Sequence, residues 1–169
     1  MSSTPEYPSD NLPARWCDRR GVTAFRGDLG GMLGRYDRCA AQTRAGTVVR
    51  VTAGCPVLDL IIVDEVVRGF KARVYDLFFF GGEFPDGLDC AVLSFWALEK
   101  ASCEATLKFE RKHVGPHVLN HPLWFSVGSV KKFKGLTHHC WTPDEPNDLA
   151  FLGRGHSCPG RPGVRVAEL

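Results

Sequence analysis

The chain has 169 residues, of which 44% are hydrophobic and 24% charged, and its formal net charge at pH 7 is +2. These are ordinary values for a globular protein, so the composition excludes an intrinsically disordered chain, and no apolar run reaches the roughly 18 residues of a membrane span. The chain has seven cysteines, and this odd number argues against a disulfide framework. The first residues do not have the pattern of a signal peptide, so the sequence predicts a cytoplasmic or nuclear protein, in which thiols stay reduced.

Proline and small polar residues dominate the first part of the chain. Residues 1–14 predict a flexible tail, and residues 15–169 are short enough to form a single domain. Within that domain, the segment 141–169 is rich in proline and glycine. We expect it to be held by packing or by a bound group, because its composition does not favour regular structure.

One helix is predicted near the N-terminus, over residues 28–44. Asp28 suits the N-cap position, apolar residues recur at helical spacing, and Gly46 ends the run.

Segments rich in β-branched and aromatic residues follow from Thr47 onward, separated by glycine and proline. They predict a strand-rich α+β protein with one N-terminal helix and a mainly antiparallel sheet, folded as a sandwich or an open barrel. One of them, DCAVLSFWALEK, is also compatible with a buried helix. The six candidate strands are TVVRV, PVLDLIIV, GFKARVYDLFFF, DCAVLSFWAL, ATLKFERKHV and LWFSVGSVKKF.

A repeated His-x-Cys pattern predicts a metal site near the C-terminus. His138 and Cys140 are followed by His156 and Cys158. Residues two apart on a strand point to the same side, and two thiolates with two imidazoles suit tetrahedral Zn²⁺. The pattern therefore predicts a structural zinc ion that ties down the C-terminal loop; the alternative is an ordinary loop that carries these residue types by chance.

Three further histidines, His113, His117 and His121, are spaced four residues apart. On a helix they would share one face. Gly115 and Pro116 argue against a continuous helix, so we expect solvated loop histidines beside a basic strand. One of them could instead complete a mixed metal site with His139 or Cys140.

Residues 100–140 are basic and interspersed with aromatic side chains. Two predicted strands would carry most of the cations, and rings beside cations are how single-stranded or structured RNA is commonly bound. The alternative is that the rings face the core while the cations face water. The candidate contact residues for RNA or a protein partner are Lys108, Arg111, Lys112, Trp124, Lys131, Lys132, Phe133 and Lys134.

Catalytic patterns are weaker. Glu83, Asp86 and Asp89 could hold a hard cation or act as paired carboxylates, and Cys140 could act as a nucleophile beside His139 or His156. Phosphate-loop and dinucleotide spacings are absent. The sequence therefore predicts a non-catalytic intracellular binding or regulatory protein of the viral accessory or host-interaction kind, with a protein or RNA partner and no membrane contact. An RNA-binding module, such as a suppressor of an RNA-directed defence, and a metal- or thiol-dependent hydrolase are the alternatives.

Overall fold

The structure is a computed structural model that describes residues 1–28, 31–145, 147–148 and 150. Contacts divide the chain into two compact units. Unit 1 comprises Met1–Val48 and Leu93–Val127, and unit 2 comprises Val49–Val92 and Gly128–Leu169. The prediction of one domain behind a flexible tail stays a prediction.

Helices and strands alternate along most of the described chain. No helix among the described residues is long and apolar enough to cross a bilayer. The elements are β1 (Ser2–Pro5), a short 3-10 helix (Pro8–Asp10), α1 (Asn11–Arg19), β2 (Ala24–Gly27), α2 (Met32–Thr43), β3 (Thr47–Val51), α3 (Leu60–Ala72), β4 (Leu77–Gly81), β5 (Cys90–Ser94), α4 (Phe95–Glu104), α5 (Lys108–Lys112), α6 (Pro116–Asn120) and β6 (Val127–Lys131).

Unit 1 is held together by packing between segments that are distant in sequence. Strand β1 pairs with β2 in parallel, with Ser2 opposite Ala24. Helix α2 packs on α4, and Leu33 of α2 and Leu98 of α4 are almost fully buried. The short helices α5 and α6 pack on each other and on α2 and α4, so the second segment of unit 1 covers the first.

A four-stranded sheet with the order β3-β5-β4-β6 is central to unit 2. Helix α3 connects β3 to β4 and packs on β4. Its N-cap is Asp59, whose side chain accepts a hydrogen bond of 2.8 Å from the Ile61 amide. This cap satisfies one of the amides that a helix start leaves unpaired. Ile62 and Val66 of α3 then reach the sheet core beside Phe78, Phe80 and neighbouring apolar side chains.

The Phe78 ring is enclosed by two glycines. A Cβ on Gly69 of α3 would lie 2.4 Å from the ring, and a Cβ on Gly128 of β6 would lie 2.6 Å from it. These distances are shorter than any relaxed carbon–carbon contact. The absence of both side chains therefore lets the helix and the neighbouring strand approach β4 closely.

The prediction of a mixed α and β protein is confirmed, but the finer prediction of a mainly antiparallel sandwich or open barrel is not. The described chain holds a parallel pair, β1 and β2, and six α-helices rather than one. Four predicted strands contain helix. PVLDLIIV runs into α3, and GFKARVYDLFFF begins in the last turn of α3 before it reaches β4. DCAVLSFWAL is divided between β5 and α4, and ATLKFERKHV contains α5.

Local reasons explain these differences. The side chains of Asp59 and Ser94 accept hydrogen bonds from amides in the first turn that follows, those of Ile61 and Ala97, so each apolar run begins a helix at that point. In ATLKFERKHV, Leu107 and Phe109 alternate with charged residues as on a strand, yet their exposed fractions are 60% and 61%, so they do not form the buried face of a sheet.

The N-terminal segments also have regular structure. Residues 28–44, predicted to be helical, contain α2, which begins at Met32. Residues 1–14, predicted to be a flexible tail, hold β1 and the start of α1. The Arg26 side chain donates hydrogen bonds to the carbonyl groups of Pro5 and Tyr7, at 3.1 and 3.0 Å, which fixes this segment against β2.

Candidate functional site

Polar side chains of unit 2 gather where β3 and β4 end. We call Arg50, Thr52, Cys55, Asp86 and Asp89 the strand-end site. Arg50 lies near the end of β3 and Thr52 directly after it, while Asp86 and Asp89 belong to the loop that connects β4 to β5. In open α/β sheets, ligands bind at the carboxyl ends of strands, so this is where a ligand is expected.

The Cys55 thiol connects the two halves of the strand-end site. The pKa of this thiol is raised, chiefly by burial. A hydrogen bond with the Asp89 backbone lowers the pKa, the carboxylates of Asp89 and Asp86 raise it, and the charge of Arg50 lowers it. Both carboxylates and the guanidinium therefore lie within electrostatic reach of one sulfur atom. Because the thiol stays protonated at neutral pH, Cys55 is poorly suited to act as a nucleophile.

Two buried polar atoms of the strand-end site have no hydrogen-bond partner. They are Nε of Arg50 and Oγ1 of Thr52. An unpaired buried polar atom costs about 1–3 kcal/mol, and a bound water, ion or ligand is one way in which a native protein completes such bonding.

The loop from β4 to β5 is fixed by the chain that follows β6. The Asp86 amide donates to the His139 carbonyl at 3.0 Å, and the Trp141 amide donates to the Asp86 carbonyl at 2.7 Å. Gly87 has a φ of +105°, and a Cβ there would lie 2.9 Å from the Trp141 backbone. Glycine is therefore required at this position, and Asp86 is held in place from both sides.

A third carboxylate, Asp144, follows this contact. It accepts a hydrogen bond of 2.6 Å from the Thr142 hydroxyl, and the Cys140 thiol lies 3.8 Å from the same oxygen. Cys140 also forms an isolated parallel bridge with Asp86. Asp86 is thus positioned by direct backbone pairing between two loops, and Asp144 by the Thr142 hydroxyl.

The predicted zinc site lies only partly within the described residues. His138 and Cys140 are both exposed, and the His138 ring lies 3.9 Å from that of His139, centroid to centroid. His156 and Cys158 lie outside the described residues. The zinc site stays a prediction.

The predicted RNA or partner surface is distributed over both units. Lys108, Arg111 and Lys112 lie on α5 of unit 1, not on a strand, and are exposed. Trp124, also of unit 1, is 56% exposed.

In unit 2, Lys131 ends β6, and Lys132 and Lys134 follow it; all three are exposed. Lys132 forms an ion pair of 2.7 Å with Glu65. Phe133 packs against the sheet core with its ring 5.9 Å from that of Phe80, so it does not offer a free stacking face. The surface stays a prediction.

A second polar group lies in unit 1, and we call Glu104, Glu110, His117 and His121 the imidazole cluster. Ligand atoms of Glu110, His117 and His121 lie within 4.8 Å of one another, and no other described residues form such a group of three His, Cys or acidic side chains. Glu110 and His117 are buried, with exposed fractions of 4% and 3%.

Hydrogen bonds fix the protonation pattern of the imidazole cluster. Nδ1 of His117 lies 3.0 Å from Oε2 of Glu110, and Asn120 donates to Oε1 of the same carboxylate at 2.9 Å. These bonds from His117 and Asn120 lower the pKa of Glu110, which keeps it ionised, so His117 must donate from Nδ1. Nδ1 of His121 lies 2.8 Å from the His117 carbonyl oxygen, which can only accept.

The sequence contained part of this signal. The four-residue spacing predicts a shared helix face, and the predicted break at Gly115 and Pro116 is present, since α5 ends at Lys112 and α6 begins at Pro116. Proline is well tolerated in the first turn of α6. The expectation of solvated loop histidines is wrong for His117, which lies in α6 and is buried. The sequence pattern gives no sign of Glu110, because it predicts a strand where the structure has α5. His113 does not join the cluster; its ring lies 4.8 Å from that of Phe109.

Comparison with known proteins gives the following similarities. No family model matches the chain. A protein of Methanocaldococcus jannaschii, uncharacterized protein MJ1063, is 30% identical over 118 residues, which are 70% of this chain and 48% of that protein. The chain thus spans about half the length of this curated relative.

Two solved structures have a similar fold. A cytidylyltransferase from Leptospira borgpetersenii superposes with a TM-score of 0.84 at 24% identity, covering 92% of this chain and 67% of that one. Molybdopterin-guanine dinucleotide biosynthesis protein A from Archaeoglobus fulgidus superposes with a TM-score of 0.53 at 17% identity, covering 84% and 72%. The fold is nucleotidyltransferase-like.

These similarities correct the functional prediction. A non-catalytic binding or regulatory protein of the viral accessory or host-interaction kind was expected, and that expectation is wrong: the similar structures are those of a cytidylyltransferase and a dinucleotide biosynthesis protein. The alternatives, an RNA-binding module and a metal- or thiol-dependent hydrolase, find no counterpart among them either.

Proposed function

We propose that the chain takes part in nucleotidyl transfer, with a cytidylyl group as the first candidate. The similarity of its fold to the cytidylyltransferase, which extends over 92% of the chain, carries this proposal. In such a reaction an acceptor oxygen attacks the α-phosphorus of a nucleoside triphosphate. A new P–O bond forms, the bond to the β-phosphate oxygen breaks, and pyrophosphate leaves with that electron pair.

The strand-end site has the groups that a triphosphate would need. The Arg50 guanidinium can neutralise phosphate oxygens, and its unpaired Nε and the unpaired Thr52 hydroxyl are available as donors. Both lie at the end of β3, the position where ligands bind in open α/β sheets.

The carboxylates fit a magnesium ion bound together with a nucleotide. Mg²⁺ is commonly held by one or two carboxylates plus substrate phosphates, and it neutralises charge on the phosphates and the leaving group. Among the described residues of unit 2, no three possible metal ligands lie close enough together to hold an ion by themselves. This arrangement suits an ion that the protein and the substrate phosphates bind together. Asp86 is positioned for this role by its pairing with Cys140 and Trp141, and Asp144 by Thr142.

Isothermal titration of the full chain with CTP in the presence of Mg²⁺ tests the proposal. We expect saturable binding that weakens about tenfold or more in Arg50→Gln, because a charged hydrogen-bond donor is lost. The matched control is Arg68→Gln, since Arg68 lies on the same unit with its side chain 74% exposed. Binding of no nucleoside triphosphate, or equal binding by Arg50→Gln, would contradict the proposal.

The same titration with GTP distinguishes the nucleotide. Tighter binding of GTP than of CTP would retain nucleotidyl transfer and replace the cytidylyl group by a guanylyl group.

A further inference from the structure

We propose that the imidazole cluster of unit 1 is a binding site for a divalent transition-metal ion such as Zn²⁺, with His117, His121 and Glu104 as ligands and Glu110 as the group that orients His117. This site lies in a different unit from the strand-end site and does not depend on the proposed function.

The tautomers of both histidines direct one nitrogen lone pair to the ion. His117 donates from Nδ1 to Glu110, and His121 donates from Nδ1 to the His117 carbonyl. A ring that donates from Nδ1 and carries no second proton presents Nε2 as an acceptor or metal ligand. Metal-bound histidines commonly donate their other nitrogen to a carboxylate or a backbone carbonyl, and here one histidine has each kind of partner.

The Nε2 atom of His117 is the strongest indication of a missing ligand. It is buried and has no hydrogen-bond partner, while only 4% of the side chain is exposed. The nearest acidic atom is Oε2 of Glu104, at 3.9 Å, which is too far for a hydrogen bond. Two ligands of one tetrahedral zinc ion lie about 3.4 Å apart, so a shift of about half an ångström would let both atoms bind one ion.

The two glutamates have different roles. Both oxygens of Glu110 already accept hydrogen bonds, from His117 and Asn120, so its carboxylate supports the site without facing the ion. Glu104 uses only Oε1, which accepts from Lys100 at 2.6 Å. Its Oε2 stays available, and its side chain is 39% exposed, which leaves a path for the ion from solvent.

The cation nearest this site is Lys100, and its charge opposes a second cation. Its ammonium donates a hydrogen bond to Oε1 of Glu104 and lies over the Trp124 ring, 5.3 Å from the ring centroid. Trp124 in turn stacks on His121 with the ring centroids 4.9 Å apart. The two ionised carboxylates, Glu104 and Glu110, offset most of the positive charge of Lys100 and the divalent ion, and the stacked indole holds the His121 ring in place.

Zinc titration of the full chain by calorimetry tests the site, in a Cys140→Ser, Cys158→Ser background that removes the thiolates of the predicted C-terminal zinc site. We expect one Zn²⁺ per chain. His121→Ala and Glu104→Gln should each weaken binding at least tenfold. Glu110→Gln should weaken it about 10- to 100-fold although its carboxylate does not touch the ion, as is typical of orienting groups.

His113→Ala is the matched control, because His113 is a neighbouring histidine outside the cluster, and its affinity should equal that of the background protein. Glu104→Gln preserves the size of an exposed side chain, so a loss of binding there is not a loss of the fold; circular dichroism verifies this. Absence of zinc binding in the background protein, or unchanged affinity in both His121→Ala and Glu104→Gln, would overturn the proposal.

Discussion

Glu110 shows how a single buried carboxylate affects stability as the pH changes. The hydrogen bonds from His117 and Asn120 keep its pKa in the folded protein below the ordinary value of 4.5. A carboxylate with a lowered folded pKa stabilises the protein above the unfolded pKa, and this contribution is lost as the pH falls through the folded value.

We therefore expect the wild-type protein to lose more stability than Glu110→Gln when the pH falls from about 6 to about 3. Urea unfolding at a series of pH values measures this difference. Glu99→Gln, which changes an exposed glutamate of α4, should follow the wild-type profile. Parallel pH profiles for Glu110→Gln and the wild type would show that the two hydrogen bonds do not stabilise the ionised form.

At the level of elements, helix α3 and strand β4 meet at Gly69. Replacing it by alanine would favour the helix by up to about 1 kcal/mol, but the added methyl group would lie 2.4 Å from the Phe78 ring. Overpacking of this kind costs about 1–3 kcal/mol, so we expect Gly69→Ala to be less stable than the wild type.

The free energy of unfolding in urea measures the effect of Gly69→Ala. Gly46→Ala is the control, since a Cβ at Gly46 has no heavy atom within 4 Å outside its chain neighbours. If Gly69→Ala were as stable as the wild type, α3 and β4 would not be packed as closely as described.

Elements differ in how well the sequence predicts them. TVVRV is the strand β3, because β-branched residues repeat without a competing cap. LFFFG is the strand β4 and is buried at most positions. DCAVLSFWAL is ambiguous by composition, since the change from strand to helix at Ser94 depends on one side-chain hydrogen bond. Composition does not reveal such a local cap between two apolar runs.

The candidate sites were predictable to a smaller extent. Asp86 and Asp89 were recognised as possible cation ligands, but Arg50, Thr52 and Cys55 were not connected with them, because that proximity depends on how the strands are ordered in the sheet. His117 and His121 were recognised by spacing, whereas Glu104 and Glu110 meet them only through the packing of three separate helices, α4, α5 and α6.

At the level of the whole molecule, unit 1 is built from two separate segments, Met1–Val48 and Leu93–Val127. The first segment holds α2, and the second holds its partner α4. A 12-residue helix such as α2 is marginal in water without tertiary packing.

We expect a fragment of residues 1–48 to lose most of the helix content that these residues have in the full chain. Far-UV circular dichroism measures this loss, with the full chain as the reference. Native-like helicity in the fragment would show that the first segment forms its structure without α4.

The enclosure of Phe78 by two glycines has a consequence for how homologous sequences can diverge. Each glycine leaves room for the same ring, so a side chain at position 69 becomes acceptable only when the residue at position 78 is smaller. A side chain at position 128 also requires a smaller residue at position 75, because its Cβ would lie 2.7 Å from the Tyr75 ring. Single substitutions that enlarge either glycine therefore meet a steric barrier. Among relatives that keep this sheet, these positions should vary together, and their covariation would record the contact between α3, β4 and β6.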